Sequence, residues 1–69
     1  MLRALLHSST ADLVRFRWAI LVRYGQGSYF AVIEPPMWRT YKSRAGAITA
    51  GKDAARRLLP AGTKLEVSH

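Results

Sequence analysis

From Arg15 the side chains alternate with a period of two: Phe16, Trp18, Ile20, Val22 and Tyr24 share one face of an extended segment, and Arg15, Arg17, Ala19, Leu21 and Arg23 share the other. The first set reads as a core face. The second reads as a partly solvated face with three arginines within one strand length. Gly25-Gln26-Gly27 then interrupts the alternation, and glycine there permits the positive φ that tight hairpin loops need. Ser28–Glu34 follows, apolar on both faces, the pattern of a central strand with a neighbour on each side. A three-residue loop would pair Val22 with Phe30 and a four-residue loop would pair it with Tyr29. That one-residue slip exchanges the faces, and the pattern allows either.

Pro35-Pro36 ends this strand, because neither residue donates a ladder hydrogen bond. Met37–Lys42 reads as a brief third strand in which Trp38 and Thr40 point one way and Arg39 and Tyr41 the other. Ser43 is a suitable N-cap for a helix over 44–59, although Gly46 stands where a capping box would carry Glu or Gln. Ala47, Ile48, Gly51, Ala55, Leu58 and Leu59 gather on one side of that helix, and the small residues among them let its axis approach a sheet. Gly51 costs about 1 kcal/mol relative to alanine, which close packing must repay. Lys52 and Arg56 border the stripe, and Asp53 and Arg57, four apart, can pair weakly on the solvent side. Pro60 stops the helix, Gly62 supports a turn, and Thr63–Ser68 alternates with Leu65 and Val67 inward, as a short edge strand would.

Residues 1–13 combine an apolar patch, Leu2, Leu5 and Leu6, with polar Ser8-Ser9-Thr10. Ser9 or Thr10 could cap one helical turn ahead of Asp12, but the segment is too short to hold a helix unaided. It is expected to be a flexible or weakly helical arm. The fold expected for 14–69 is a single small α+β domain: a three-stranded antiparallel sheet packed by one helix, βββα, with a short C-terminal fourth strand.

A chain of 69 residues has room for one small core, so self-association into a homodimer is an open supplement to its stability. Apolar residues at 49% argue against disorder. Eleven Lys and Arg against four Asp and Glu give a net charge of +7 and a pI near 10.9. Such a balance fits a polyanionic partner, nucleic acid first, and equally describes arginine-rich small proteins that bind none. The absence of cysteine excludes disulfides, thiolate catalysis and cysteine-ligated zinc. The first residues lack the pattern of an export signal, and no apolar run reaches the roughly 20 residues of a membrane span. The expectation is a cytoplasmic protein with no membrane partner.

Catalysis finds little support. His7 and His69 lie near the chain ends, and Asp12, Glu34, Asp53 and Glu66 show no paired spacing for acid–base work or Mg²⁺ binding. The expectation is therefore no enzyme, no metal, no cofactor and no small-molecule substrate. Gly25-x-Gly27 precedes a strand rather than a helix, which makes it a hairpin and not a phosphate loop. The helix start beside Lys42 and Arg44 offers free amides that suit one DNA phosphate, though an ordinary N-cap explains the same residues. Most of the seven aromatic residues are expected in the core, with Trp38 and Tyr41 exposed beside Arg39. The candidate nucleic-acid site is then Arg15, Arg17, Arg23, Arg39, Lys42 and Arg44 for phosphates, with Trp38 and Tyr41 for bases or sugar and double-stranded DNA as the favoured ligand. The plainer alternative is that these are solubilising residues at a sheet edge.

Gly27-x-Tyr29-x-Ala31-x-Ile33-x-Pro35, followed by Trp38, Ser43, Ala47 and Ala54-Ala55-Arg56-x-Leu58, resembles the DNA-binding domain of plant ethylene-response factors and the related integrase amino-terminal domains. That resemblance implies a three-stranded sheet, backed by one helix, that meets the DNA major groove through arginines and tryptophans. The chain lacks that family's dense Arg/Gly run in the first strand. The same layout also resembles HicB-type antitoxins, in which GxYxAxIxxP precedes a short strand and an Ala-rich helix. Their helix typically opens Thr-x-x-Glu-Ala, where this chain has Ser43-Arg44-Ala45-Gly46-Ala47. Size class adds an analogy to small phage and mobile-element proteins, anti-CRISPR proteins among them, that block a host protein surface. An inhibitor of that kind, docking through a sheet face or edge, is the rival to nucleic-acid binding.

Overall fold

A computed structural model describes residues 1–68, so the expectation for His69 lies outside the described residues. The chain runs β1 (Leu2–Thr10), β2 (Phe16–Tyr24), β3 (Ala31–Ile33), α1 (Arg44–Leu58) and β4 (Lys64–Ser68). The strands form one mixed sheet in the order β3-β2-β1-β4. β1 is antiparallel to β2 and parallel to β4, and β2 is antiparallel to β3. The class is α+β with one helix, and the sheet is not the three-stranded antiparallel sheet expected.

The largest departure is the first segment, which is a central strand and not an arm. Leu2, Ala4 and Leu6 alternate with Arg3, Leu5 and His7, and β1 pairs with β2 over its whole length, from Leu2↔Tyr24 to Thr10↔Phe16. Ala4 and Leu6 are buried. Burial on one side and two strand neighbours supply what a short terminal segment lacks by itself.

β2 keeps the predicted faces, with Trp18, Ile20 and Val22 buried and Phe16 half-buried, while Tyr24 at its end is exposed. β3 is a three-residue edge strand rather than a central one, and Val32 is exposed. The register sets Val22 opposite Ala31 and Ile20 opposite Ile33, neither of the two pairings expected. The turn takes six residues, 25–30, with Gly25 at φ 49°.

Met37–Lys42 does not form a strand. After Ile33 the chain bulges away from β2 and rejoins it only at Tyr41, which exchanges two backbone bonds with Phe16, at 2.8 and 2.9 Å. Pro35 and Pro36 cannot donate to the ladder, so the pairing stops where they stand.

α1 starts behind Ser43, whose Oγ accepts from the Gly46 amide at 3.0 Å, and the Leu59 amide bonds back to the Ala55 carbonyl. Ala47, Ile48, Gly51, Ala54 and Ala55 are buried against β1 and β2, whereas Leu58, expected in the stripe, is exposed. A Cβ at Gly51 would run into the fully buried Leu6 side chain. That contact explains glycine in mid-helix, since it lets backbone pack on Leu6 directly. Gly62, at φ 85°, turns the chain into β4, where Leu65 and Val67 are half-buried beside β1.

The helix covers one face of the sheet. The other face carries Arg3, Leu5 and His7 from β1, Arg17, Ala19, Leu21 and Arg23 from β2, Val32 from β3, and Lys64 and Glu66 from β4.

Candidate functional site

Most of the predicted site residues come together at the Phe16 end of the sheet, and most of their charges are already engaged there. Arg17 Nη1 lies 3.0, 2.9 and 3.0 Å from the carbonyls of Pro36, Met37 and Arg39, and Nη2 lies 2.9 Å from that of Pro35. The planar guanidinium thus fills the bulge and donates to carbonyls that no longer have a partner in the ladder, that of Pro36 also accepting from the Arg39 amide at 2.9 Å. Arg17 is a builder of the 35–39 segment rather than a free cation. Arg15 donates to Thr40 Oγ1 at 3.3 Å across the same junction. Arg39 lies over the Tyr41 ring, 4.6 Å from its centroid, and Arg44 lies over Phe16 at 5.1 Å while donating to the Ser8 carbonyl at 3.2 Å. Tyr41 is half-buried against the core, with its hydroxyl 3.5 Å from the Trp18 indole nitrogen. Only Trp38, 78% exposed, and Lys42 project with no bond to the rest of the chain among the described residues.

Arg23 stands apart from this group. It lies six residues along β2 from Arg17, about 20 Å at strand rise. On the uncovered face it is directly opposite Arg3, and Arg3 is directly opposite Lys64. The three cations therefore form a row, Lys64–Arg3–Arg23, on three adjacent strands, about 10 Å wide at sheet spacing. Arg3 Nε is buried without a hydrogen-bond partner. The acid of this strand face, Glu66, stands opposite Leu5, and among the described residues the ion pairs belong to Asp53 alone, with Arg56 at 3.0 Å and Arg57 at 3.8 Å. Like charges directly opposite across a sheet repel, so the row sits in the protein at a cost that an anion would relieve.

Aromatic rings surround the same end. Arg23 lies 5.1 Å from the centroid of Tyr29, and Tyr24 and Phe30 stack with centroids 5.1 Å apart and planes inclined by 12°. Tyr24 is 66% exposed and Phe30 57%. The expectation that most aromatic residues are core does not hold: Trp18 is buried, Phe16 and Tyr41 are half-buried, and Tyr24, Tyr29, Phe30 and Trp38 are exposed. A helix faced with alanine and glycine sits too close to the sheet to leave room for more large rings.

Arg3 and Lys64 were absent from the sequence-based site. Their signal lay in the alternation, since Arg3 sits between Leu2 and Ala4 and Lys64 precedes Leu65. Recognising it required β1 to be read as a strand beside both β2 and β4.

Among the described residues no three His, Cys, Asp or Glu side chains converge, and no helix is long and apolar enough to cross a membrane. A cavity of about 310 Å³ between the end of α1 and β4 has Ala55, Arg56, Leu59, Pro60, Thr63 and Leu65 among its lining residues. It holds no grouping of polar side chains. Compared with protein-family models, curated proteins and solved structures, the chain matches none.

Proposed function

We propose that this protein is a small non-catalytic nucleic-acid-binding domain that takes the phosphate backbone of its ligand across the uncovered face of the sheet. The observation that carries this reading is the unneutralised row Lys64–Arg3–Arg23, set on a face that no other element covers. Phosphates placed along it would replace repulsion with attraction and release the counterions condensed on the nucleic acid. The +7 balance extends the attraction over the rest of the surface. Of the residues expected from sequence, Arg23 belongs to this row, Lys42 adds charge at the far end, and Arg15, Arg17, Arg39 and Arg44 act chiefly by building the Phe16 end.

The test is fluorescence anisotropy with labelled DNA and RNA over a salt series, comparing the wild type with the triple variant Arg3→Gln, Arg23→Gln, Lys64→Gln. The wild type should bind with a steep negative log–log salt slope, and each lost phosphate contact should flatten that slope by about 0.7 to 0.9. Absence of binding at low ionic strength, or equal binding by the triple variant, would overturn the reading.

One observation favours a second reading, a protein-docking module of the phage-inhibitor or antitoxin-like kind. Leu13 and Val14 in the β1–β2 turn and Met37 and Trp38 in the bulge are all exposed, Met37 by 84%, on two loops joined by the Arg15–Thr40 bond. Apolar side chains grouped in this way suit a partner pocket. On that reading Trp38→Ala abolishes capture of a host protein while leaving nucleic-acid binding unchanged. Both readings place the protein in the cytoplasm, and both leave a homodimer open.

A further inference from the structure

We propose that two copies of this chain join through β4, antiparallel about a twofold axis at Leu65, so that their sheets become one sheet of eight strands. This goes beyond the nucleic-acid reading and does not rest on it. The two edges of the sheet differ in kind. β3 is three residues long, stops ahead of Pro35-Pro36 and is followed by the bulge that Arg17 fills, features that keep a further strand from adding. β4 runs five residues in unbroken register with β1, contains no proline, and has no strand neighbour on its outer side. The unpaired amides and carbonyls of that side can take up another strand.

Which strand it takes is set by Lys64 and Glu66, two residues apart on the uncovered face. Charges of one sign there would repel a second copy, whereas opposite signs at this spacing make the edge complementary to itself. With Leu65 opposite Leu65 of the second copy, Lys64 stands opposite the second copy's Glu66, and the twofold axis repeats the pair. Within one chain neither charge is answered: the strand neighbour of Lys64 is Arg3, that of Glu66 is Leu5, and the ion pairs among the described residues belong to Asp53. The second copy brings an acid to the end of the cation row and a cation to the acid that lacks one. Arg3 and Arg23 of both copies stay unneutralised on the joined face. The other side of β4 favours the same pairing. α1 packs on β1 and β2, and Leu65 and Val67 stay half-buried, with Leu65 lining the cavity at the end of the helix. In the dimer Leu65 meets its own copy and Val67 stands opposite the second copy's Thr63, which withdraws apolar surface from water.

The test is sedimentation equilibrium of the whole chain at moderate ionic strength, where salt screens the repulsion between two copies of charge +7. The wild type should pass from monomer to dimer with a midpoint of roughly 1 to 100 μM, as suits an interface at the small end of the stable range. Lys64→Glu and Glu66→Lys should each weaken the dimer by about tenfold or more, and the variant carrying both should restore it. Mixed in equal amounts, the two single variants should form a heterodimer as readily as the wild type forms its homodimer. Lys64→Glu lowers the net charge and Glu66→Lys raises it, so a loss shared by both reports the local pair and not the overall charge. Lys64 and Glu66 are exposed, so the variants should keep the wild-type far-ultraviolet circular dichroism, and that spectrum is recorded for each. A wild type that stays monomeric up to about 1 mM would overturn the proposal. So would single variants that dimerise like the wild type, or failure of either the mixture or the double variant to recover the dimer. None of these outcomes bears on nucleic-acid binding, which the anisotropy titration reads separately.

Discussion

Arg17 shows how far a residue's role can lie from its charge. It stands on the solvent-facing side of β2, where a cation reads as a phosphate contact, yet its guanidinium serves four backbone carbonyls between Pro35 and Arg39. Hydrogen bonds from a charged donor contribute more than neutral ones, so Arg17→Ala should cost about 1.5–3 kcal/mol and free the 35–39 segment. Thermal unfolding reads the first effect, and faster amide exchange at Arg39, whose amide bonds to the Pro36 carbonyl, reads the second. Lysine in its place restores the charge without the fork and should recover only part of the loss. Gly51 is the second decisive single residue. Alanine there gains about 1 kcal/mol of helix propensity but overpacks Leu6 at a cost of about 1–3 kcal/mol, so the net change should be a loss of up to about 2 kcal/mol in chemical denaturation. A gain in stability would show that Leu6 yields freely.

Among the elements, β1 decides the molecule. It contacts both β2 and β4 and lies under the helix, with Leu6 wholly buried. Truncation of residues 1–10 should therefore unfold the domain outright, where loss of an arm would leave its circular dichroism and melting unchanged. Leu6→Ala should remove about 2–5 kcal/mol. At about 0.05–0.15 kcal/mol of stability per residue, that loss is about half the stability of a chain of 69 residues. The period-two pattern of Leu2, Ala4 and Leu6 was in the sequence, but Leu5 beside Leu6 and the serines after them blurred it. The helix was legible because its signals are local: Ser43 for the cap, the small-residue stripe, Pro60 for the stop. The same holds for the faces of β2, set by strict alternation over nine residues. Met37–Lys42 misled because its own composition suits a strand, while the two prolines ahead of it had already broken the ladder.

For the whole molecule, charge is the property with the widest reach. With +7 on 69 residues and ion pairs confined to Asp53 among the described residues, self-repulsion opposes the folded state. Added salt screens that repulsion, so the melting temperature should rise between low and moderate ionic strength, the opposite of a fold held by surface ion pairs. A bound polyanion should raise it further by mass action, and the increment should shrink as salt increases. The candidate site divides along the same lines. The places of Arg23 on β2 and of Arg44 at the helix start followed from local reading, whereas the row that Arg23 forms with Arg3 and Lys64 joins residues 61 positions apart in the chain through the parallel pairing of β1 with β4. What the sequence by itself determined is what neighbouring residues settle between themselves: a capped helix, one alternating strand, a proline break, a basic surface. Strand order, the buried place of β1, the edge position of β3 and the cation row were decided only in the tertiary structure. Each depends on which distant segment buries which face, and that choice is made by the core as a whole and not by any stretch of chain within it.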